Sequence, residues 1–371
     1  MAARGGSPRL THIDWMRGLA ILVMIEAHVL DAWTRPADRQ TFRFMVSAIL
    51  SGFAAPMFLF LAGVSVALAA SSGARKTGDA PRAAARVRRR GWEILGLAYL
   101  FRFQAYILNP KALIAGMLKV DILNIMGPSL VAAAALWQAG RRAGGRLVAL
   151  GGAALAVSLV TPLVRGAAWI GALPPLVQWY LRPTPGRNNF TFFPWAGFVL
   201  AGAAVGTLID RARGGEDEKR LHAWMAPGAI LFAAACYAGS YLPSIYADSH
   251  FWTSSPMFFL LRVGLVTSTL SLVYFYERRP RLLGSAWRWA SPMVVFGQSS
   301  LFVYWVHVEL VYGVVSEPLH RALPFETAVA LFAVFSAAMF GLVLVKNRGV
   351  ARWKRWRQSA VTPLASMVEK A

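Results

Sequence analysis

The chain has 371 residues, of which 57% are hydrophobic and only 15% charged, with 14 Trp and a formal net charge of +22. A mean hydropathy of +0.48 excludes an ordinary soluble domain and makes lipid the relevant solvent. The basic balance does not point to nucleic acid, because Lys and Arg fall between apolar runs and are not gathered on one polar surface, and the single cysteine, Cys236, excludes an intrachain disulfide framework.

In chain order, an arm with Arg4 and Arg9 leads into the first apolar run, Trp15 to Trp33. This run lacks a cleavable-signal pattern and is long enough to be kept as a span. Around it lie Asp14, Arg17, Glu26, His28 and Asp31. A helix advances about 100° and 1.5 Å per residue, which puts Arg17 and His28 on one stripe roughly 16 Å apart. Asp14, Asp31 and Arg35 fall on the same stripe, with Glu26 on the opposite side. A charged stripe on a membrane-length helix needs protein or water beside it and marks a candidate functional surface.

Nine further runs follow, at about Phe44 to Ala70, Trp92 to Leu108, Val120 to Trp137, Leu147 to Val164, Phe192 to Ile209, Trp224 to Tyr241, Met257 to Tyr276, Pro292 to Val314 and Thr327 to Val345. Pro56 should kink or break the second run. The expected fold is therefore all-α: a polytopic integral membrane bundle of about ten transmembrane helices, forming one domain over 1–358 with a tail over 359–371.

Basic clusters at Arg75 to Arg90, Arg141 to Arg146, Arg211 to Arg220, Arg278 to Arg288 and Lys346 to Arg357 share one side, while Pro243 to Pro256 has no Lys or Arg. The positive-inside rule places both termini in the cytoplasm. The segment Arg352 to Arg357 suits an anionic inner-leaflet surface. On the other side, Pro174-Pro175, Trp179-Tyr180, Asn188-Asn189, Asp248, His250 and Trp252 can hold a sugar or serve as turns and interface belts.

Three buried positions need partners: Arg102, Arg262 and His307, with Glu26, Glu309 and Asp121 as candidates for the two arginines. Tyr304 and Ser300 share a helical face with His307. Asn124, entering the fourth run, is a candidate substrate contact. No Cys or His cluster has zinc spacing, and no Walker-type loop or Gly-x-Ser-x-Gly turn is present, so no metal is expected.

Four segments carry a resemblance. They are Ile13-Asp14 with Arg17-Gly18-Leu19-Ala20 leading to His28; Ala55-Pro56-Met57-Phe58-Leu59-Phe60-Leu61-Ala62-Gly63; Phe193-Pro194-Trp195 with Gly202 and Gly206; and Ser300-Leu301-Phe302-Val303-Tyr304-Trp305-Val306-His307. With these the chain resembles the transmembrane acyltransferase superfamily. The Arg17 to His28 spacing looks like the acyltransferase 3 signature, and Phe-Pro-Trp looks like the branch of bacterial proteins related to heparan-alpha-glucosaminide N-acetyltransferase. That branch is expected to carry a catalytic histidine after the first span. Asp31 to Phe44 contains none, which directs attention to His28.

The resemblance implies transfer of an acyl group, with acetyl expected, from cytoplasmic acetyl-CoA or another acyl-CoA to a carbohydrate or envelope glycan, in a bacterial inner membrane. A homodimer is a possible assembly. An acceptor hydroxyl or ammonium must lose a proton before attacking a thioester, so His28 is the expected general base, or the acyl carrier in a two-step scheme. Asp31 would orient it. Arg17, paired with Asp14, would hold the coenzyme, aided by the Arg75 to Arg90 loop. His307 and Tyr304 would position substrate. The competing class is a proton-coupled transporter, which would bind its solute without consuming acyl-CoA, and an inactive scaffold is a third reading.

Overall fold

The computed structural model describes residues 10–108, 114–278 and 291–368, with side chains left undescribed at 115 and from 359 onward. The arm bearing Arg4 and Arg9, and most of the Arg278 to Arg288 cluster, lie outside these residues. The described chain is helical: α1 Thr11–Trp33, α2 Phe42–Ser51, α3 Ala54–Thr77, α4 Ala80–Leu108, α5 Ile122–Ala139, α6 Ala143–Gly166, α7 Pro175–Leu181, α8 Phe192–Arg211, α9 Gly215–Gly239, α10 Pro256–Arg278, α11 Pro292–Gln298, α12 Ser300–Tyr312 and α13 Phe325–Val368, with short 3-10 turns between some of them. Two isolated bridges, Thr34 with Leu323 and Val120 with Asn188, are the β pairing among the described residues.

Seven stretches are long and apolar enough to cross a membrane: Phe42–Thr77 (α2 with α3), α5, α6, α8, α9, α10 and Phe325–Gln358 of α13. The pair α11 and α12, bent by 88°, makes an eighth if taken as one span. The expected count of about ten also needs α1 and α4, whose 23 and 29 residues suffice in length but carry charge. The expected break at Pro56 falls just upstream, between α2 and α3. Pro56 itself sits in the first turn of α3, where a missing N–H costs nothing. Beyond its apolar stretch, α13 runs on to Val368.

Burial separates inner from outer helices. Only 28% of the apolar window of α6 and 22% of those of α9 and α13 are buried, against 61% for α2 with α3 and for α8. Exposed Val148, Leu163, Trp224, Leu231 and Val334 on these outer helices would face hydrocarbon. Inside, one apolar cluster joins α1 to α3, α4, α5, α8 and α10, and a second joins α1 to α11, α12 and α13. The α1 helix belongs to both, so its side chains sit at the seam of the bundle.

Two glycine contacts set that geometry. A Cβ on Gly18 would lie 1.9 Å from the Met293 carbonyl oxygen, and one on Gly297 1.8 Å from that of Asp14, so α11 touches α1 backbone to backbone. Likewise, a Cβ on Gly63 would meet the Val199 oxygen at 1.9 Å and one on Gly202 the Phe60 oxygen at 1.9 Å, which locks α3 to α8. Gly206 lies in the same seam, where a Cβ would meet the Val64 carbonyl oxygen at 2.7 Å.

Candidate active site

The first turns of α1, the end of α3 and the start of α4 lie at one end of the bundle. From there a cavity of about 710 Å³ extends between α1, α3, α4, α5 and α12. Its rim carries Lys76, Arg86 and Arg90, all exposed. Its walls are apolar, with Leu61, Val66, Ile94, Leu123 and Met126, and its lining includes Met24, Ser300 and the buried Tyr304. Such a cavity offers an anion a mouth and an apolar chain an interior.

Arg17 lies on the cavity wall. It donates to the Asp14 carboxylate at 3.0 Å and to the Ser65 hydroxyl, and that hydroxyl donates to the Leu61 carbonyl at 2.6 Å. The expected Asp14–Arg17 pair is therefore present, and Asp14 also borders a smaller neighbouring pocket of about 330 Å³ with Lys76 and Arg213. Of the 75–90 segment, Lys76, Arg86 and Arg90 reach the cavity, whereas Arg75 is held by Asp210 at 2.7 and 2.8 Å.

One turn beyond Met24 and Tyr304, two histidines meet. His28 Nδ1 is 2.8 Å from His307 Nε2, with the ring planes within 5° of parallel. His307 Nδ1 lies 2.7 Å from the Val303 carbonyl oxygen. A carbonyl only accepts, so this nitrogen carries the hydrogen, and Nε2 of the neutral ring offers a lone pair. His28 Nδ1 must then donate to it, which leaves His28 Nε2 as the atom able to accept a proton. His307 is fully buried and His28 partly so.

The Asp31 carboxylate bonds to partners other than the expected His28. It takes Arg39 at 2.5 Å and the Tyr312 hydroxyl at 3.3 Å, at the last turn of α1, where the side chain is 58% exposed. The partner of His28 is His307, and Tyr312 packs edge-on against the His28 ring at 5.5 Å. Arg35 is also off the expected stripe: α1 ends at Trp33, and Arg35 is extended and paired with Asp38 at 3.0 Å.

Asn124 does not line the cavity. Fully buried, it closes the capping box of α5, with its Oδ1 accepting from the Asp121 backbone N–H at 3.0 Å and its Nδ2 donating to Tyr180 at 3.4 Å. Asp121 pairs with Arg102, one of the pairings anticipated. Glu26 instead accepts from Ser47 and Ser51, each at 2.5 Å, and Arg262 packs 3.9 Å above the Phe258 ring. Asn188, in the connection before α8, donates to the Trp179 and Arg182 carbonyls and serves as a turn residue.

Sequence reasoning missed Tyr312 and Ser65. Neither carries a motif signal of its own, and both gain their place through neighbours on other helices.

The family model described as heparan-alpha-glucosaminide N-acetyltransferase, catalytic, matches residues 9–251, a stretch that holds Asp14, Arg17, His28 and the cavity rim. His307 and Tyr304 lie beyond its end. No curated protein matches the chain. A match over well more than half of the sequence, on a helical bundle with membrane-length apolar helices, makes the chain a member of the heparan-alpha-glucosaminide N-acetyltransferase catalytic family.

Proposed function

We propose that this protein is a membrane acetyltransferase that takes an acetyl group from acyl-CoA bound in the 710 Å³ cavity and passes it to a carbohydrate acceptor, with His28 as the base. The observations that carry the reading are a cavity with a cationic rim and an apolar wall that reaches Met24 and Tyr304, and the His28–His307 pair one helical turn further along the same two helices, outside the cavity lining. Lys76, Arg86, Arg90 and Arg17 would hold the phosphates of the coenzyme. The pantetheine arm would follow the apolar wall and bring the thioester to the histidines. On the positive-inside rule this rim is cytoplasmic, both termini lie on that side and the chain crosses about ten times.

In the transfer, His28 Nε2 takes the proton of the acceptor N–H or O–H as its lone pair attacks the thioester carbonyl carbon. The C–S bond then breaks, and the coenzyme thiolate leaves, to be protonated by the imidazolium. His307 would stabilise the charged His28 through the 2.8 Å contact. Alternatively His28 carries the acetyl group between two half-reactions. The family's name makes an α-glucosaminide the first acceptor to try.

The test is release of free coenzyme A from acetyl-CoA by detergent-purified protein with a panel of glycan acceptors, wild type beside His28→Ala with folding of both verified. Acceptor-dependent release lost in the variant supports the reading. Release that persists in the variant removes His28 as the base, and no binding or turnover by wild type overturns the function.

A further inference from the structure

Three side chains from two helices far apart in sequence converge. His12 comes from the first turn of α1, and Glu218 and His222 from one face of α9 at i and i+4. One donor atom of each lies within 4.8 Å of the others, and all three residues are buried. His12 Nε2, Glu218 Oε1 and His222 Nε2 are each shielded from solvent with no hydrogen-bond partner among the described residues.

A buried polar atom without a partner keeps the full cost of leaving water, so three at one point call for a common ligand. The surroundings prepare these atoms to be electron-pair donors. His222 Nδ1 is 3.1 Å from Ser271 Oγ, whose single hydrogen is given to the Thr267 carbonyl at 3.3 Å. The hydroxyl can then only accept from His222 Nδ1–H, which puts the lone pair on Nε2, facing the cluster. Glu218 Oε2 takes the Gly214 N–H at 2.9 Å and Arg278 at 3.4 Å, leaving Oε1 to face the cluster. The Tyr274 ring stacks on His222 at 4.0 Å and meets His12 edge-on at 5.3 Å, fixing both rings.

We propose that His12, Glu218 and His222 form a divalent-metal site, with zinc the best-matched ion, that ties the first turn of α1 to α9. Two imidazoles and one carboxylate are a donor set zinc favours. A tetrahedral ion with bonds of about 2.1 Å places its ligands roughly 3.4 Å apart, so donors within 4.8 Å of one another need close by at most about 1.4 Å. The site acts on stability: it anchors the end of α1 whose next turn bears Asp14 and Arg17.

The test uses full-length protein in detergent, purified through a tag without histidine and stripped with chelator. Wild type should bind one Co²⁺ per chain with a tetrahedral visible spectrum, lose that spectrum on adding Zn²⁺, and unfold at higher temperature with Zn²⁺ present. His12→Gln with His222→Gln should abolish binding. Ser271→Ala, which leaves every ligand in place, should weaken it about 10- to 100-fold. Failure of wild type to bind stoichiometrically overturns the proposal whatever the variants do. Unchanged binding by a folded double variant overturns it as well.

Discussion

His28 and His307 stand 279 positions apart in the chain, yet their Nδ1 and Nε2 atoms are 2.8 Å apart. The contact fixes the His28 tautomer, and this gives the two histidines separable roles. His28→Ala should lower kcat for acetyl transfer by about 10²–10⁴, the usual contribution of a general base, with little change in the KM for acetyl-CoA. His307→Gln keeps an acceptor for His28 Nδ1–H and should retain more activity than His307→Leu, which has none. Equal kcat values for the two His307 variants would show that the hydrogen bond has no part in the reaction.

The cationic rim predicts a binding effect separate from chemistry. Lys76→Ala, Arg86→Ala and Arg90→Ala should each raise the KM for acetyl-CoA several-fold and leave kcat nearly unchanged. Because these side chains are exposed, the wild-type KM should also rise with salt. Initial rates over a range of ionic strength check both points.

Backbone contact between α3 and α8 predicts an intolerance to size. Gly202→Val would drive a side chain into the Phe60 carbonyl and should cost at least about 1–3 kcal/mol. Gly152→Val, at a position with open space around it, is the matched control. Thermal unfolding in detergent should separate the two, and similar midpoints would contradict the packing described.

Asp121 has two tasks, capping α5 and neutralising Arg102. Asp121→Ala should therefore destabilise by about 3–5 kcal/mol, because it leaves a mostly buried guanidinium unpaired. Adding Arg102→Met should recover part of that loss. A double variant no more stable than Asp121→Ala would mean that the charge is not what costs.

Asp38 links the first connection to the start of α13. The Phe325 backbone N–H, bonded at 2.8 Å, holds its carboxyl below the ordinary value of 3.8, aided by Arg35. For a depressed acid the stabilisation is fully present above the ordinary value and is lost as pH falls through the lower folded value. Asp38→Asn should thus be less stable than wild type near neutrality, and the gap should close as pH drops below about 4. Denaturation series at stepped pH would reveal a gap that stays constant, if the carboxylate is not the cause.

The amino-acid sequence by itself determined what depends on composition and on neighbours along one helix. Apolar runs called for a helical membrane bundle. The period of 3.6 put Arg17 and Asp14 in reach of each other and aimed His28 along their stripe. Even there a helix end escaped the rule, since Asp31 turned to Arg39 and Arg35 left the helix.

Only the tertiary structure decided which helices touch. It chose Asp121 for Arg102, gave Glu26 to two serines, brought His307 to His28, and gathered His12 with Glu218 and His222. The physical reason is that helical periodicity fixes a residue's angle on its own helix and says nothing about the neighbour it faces. That neighbour is set by glycine-permitted backbone approach and by burial across the whole bundle, as where Gly18 and Gly297 bring α11 onto α1.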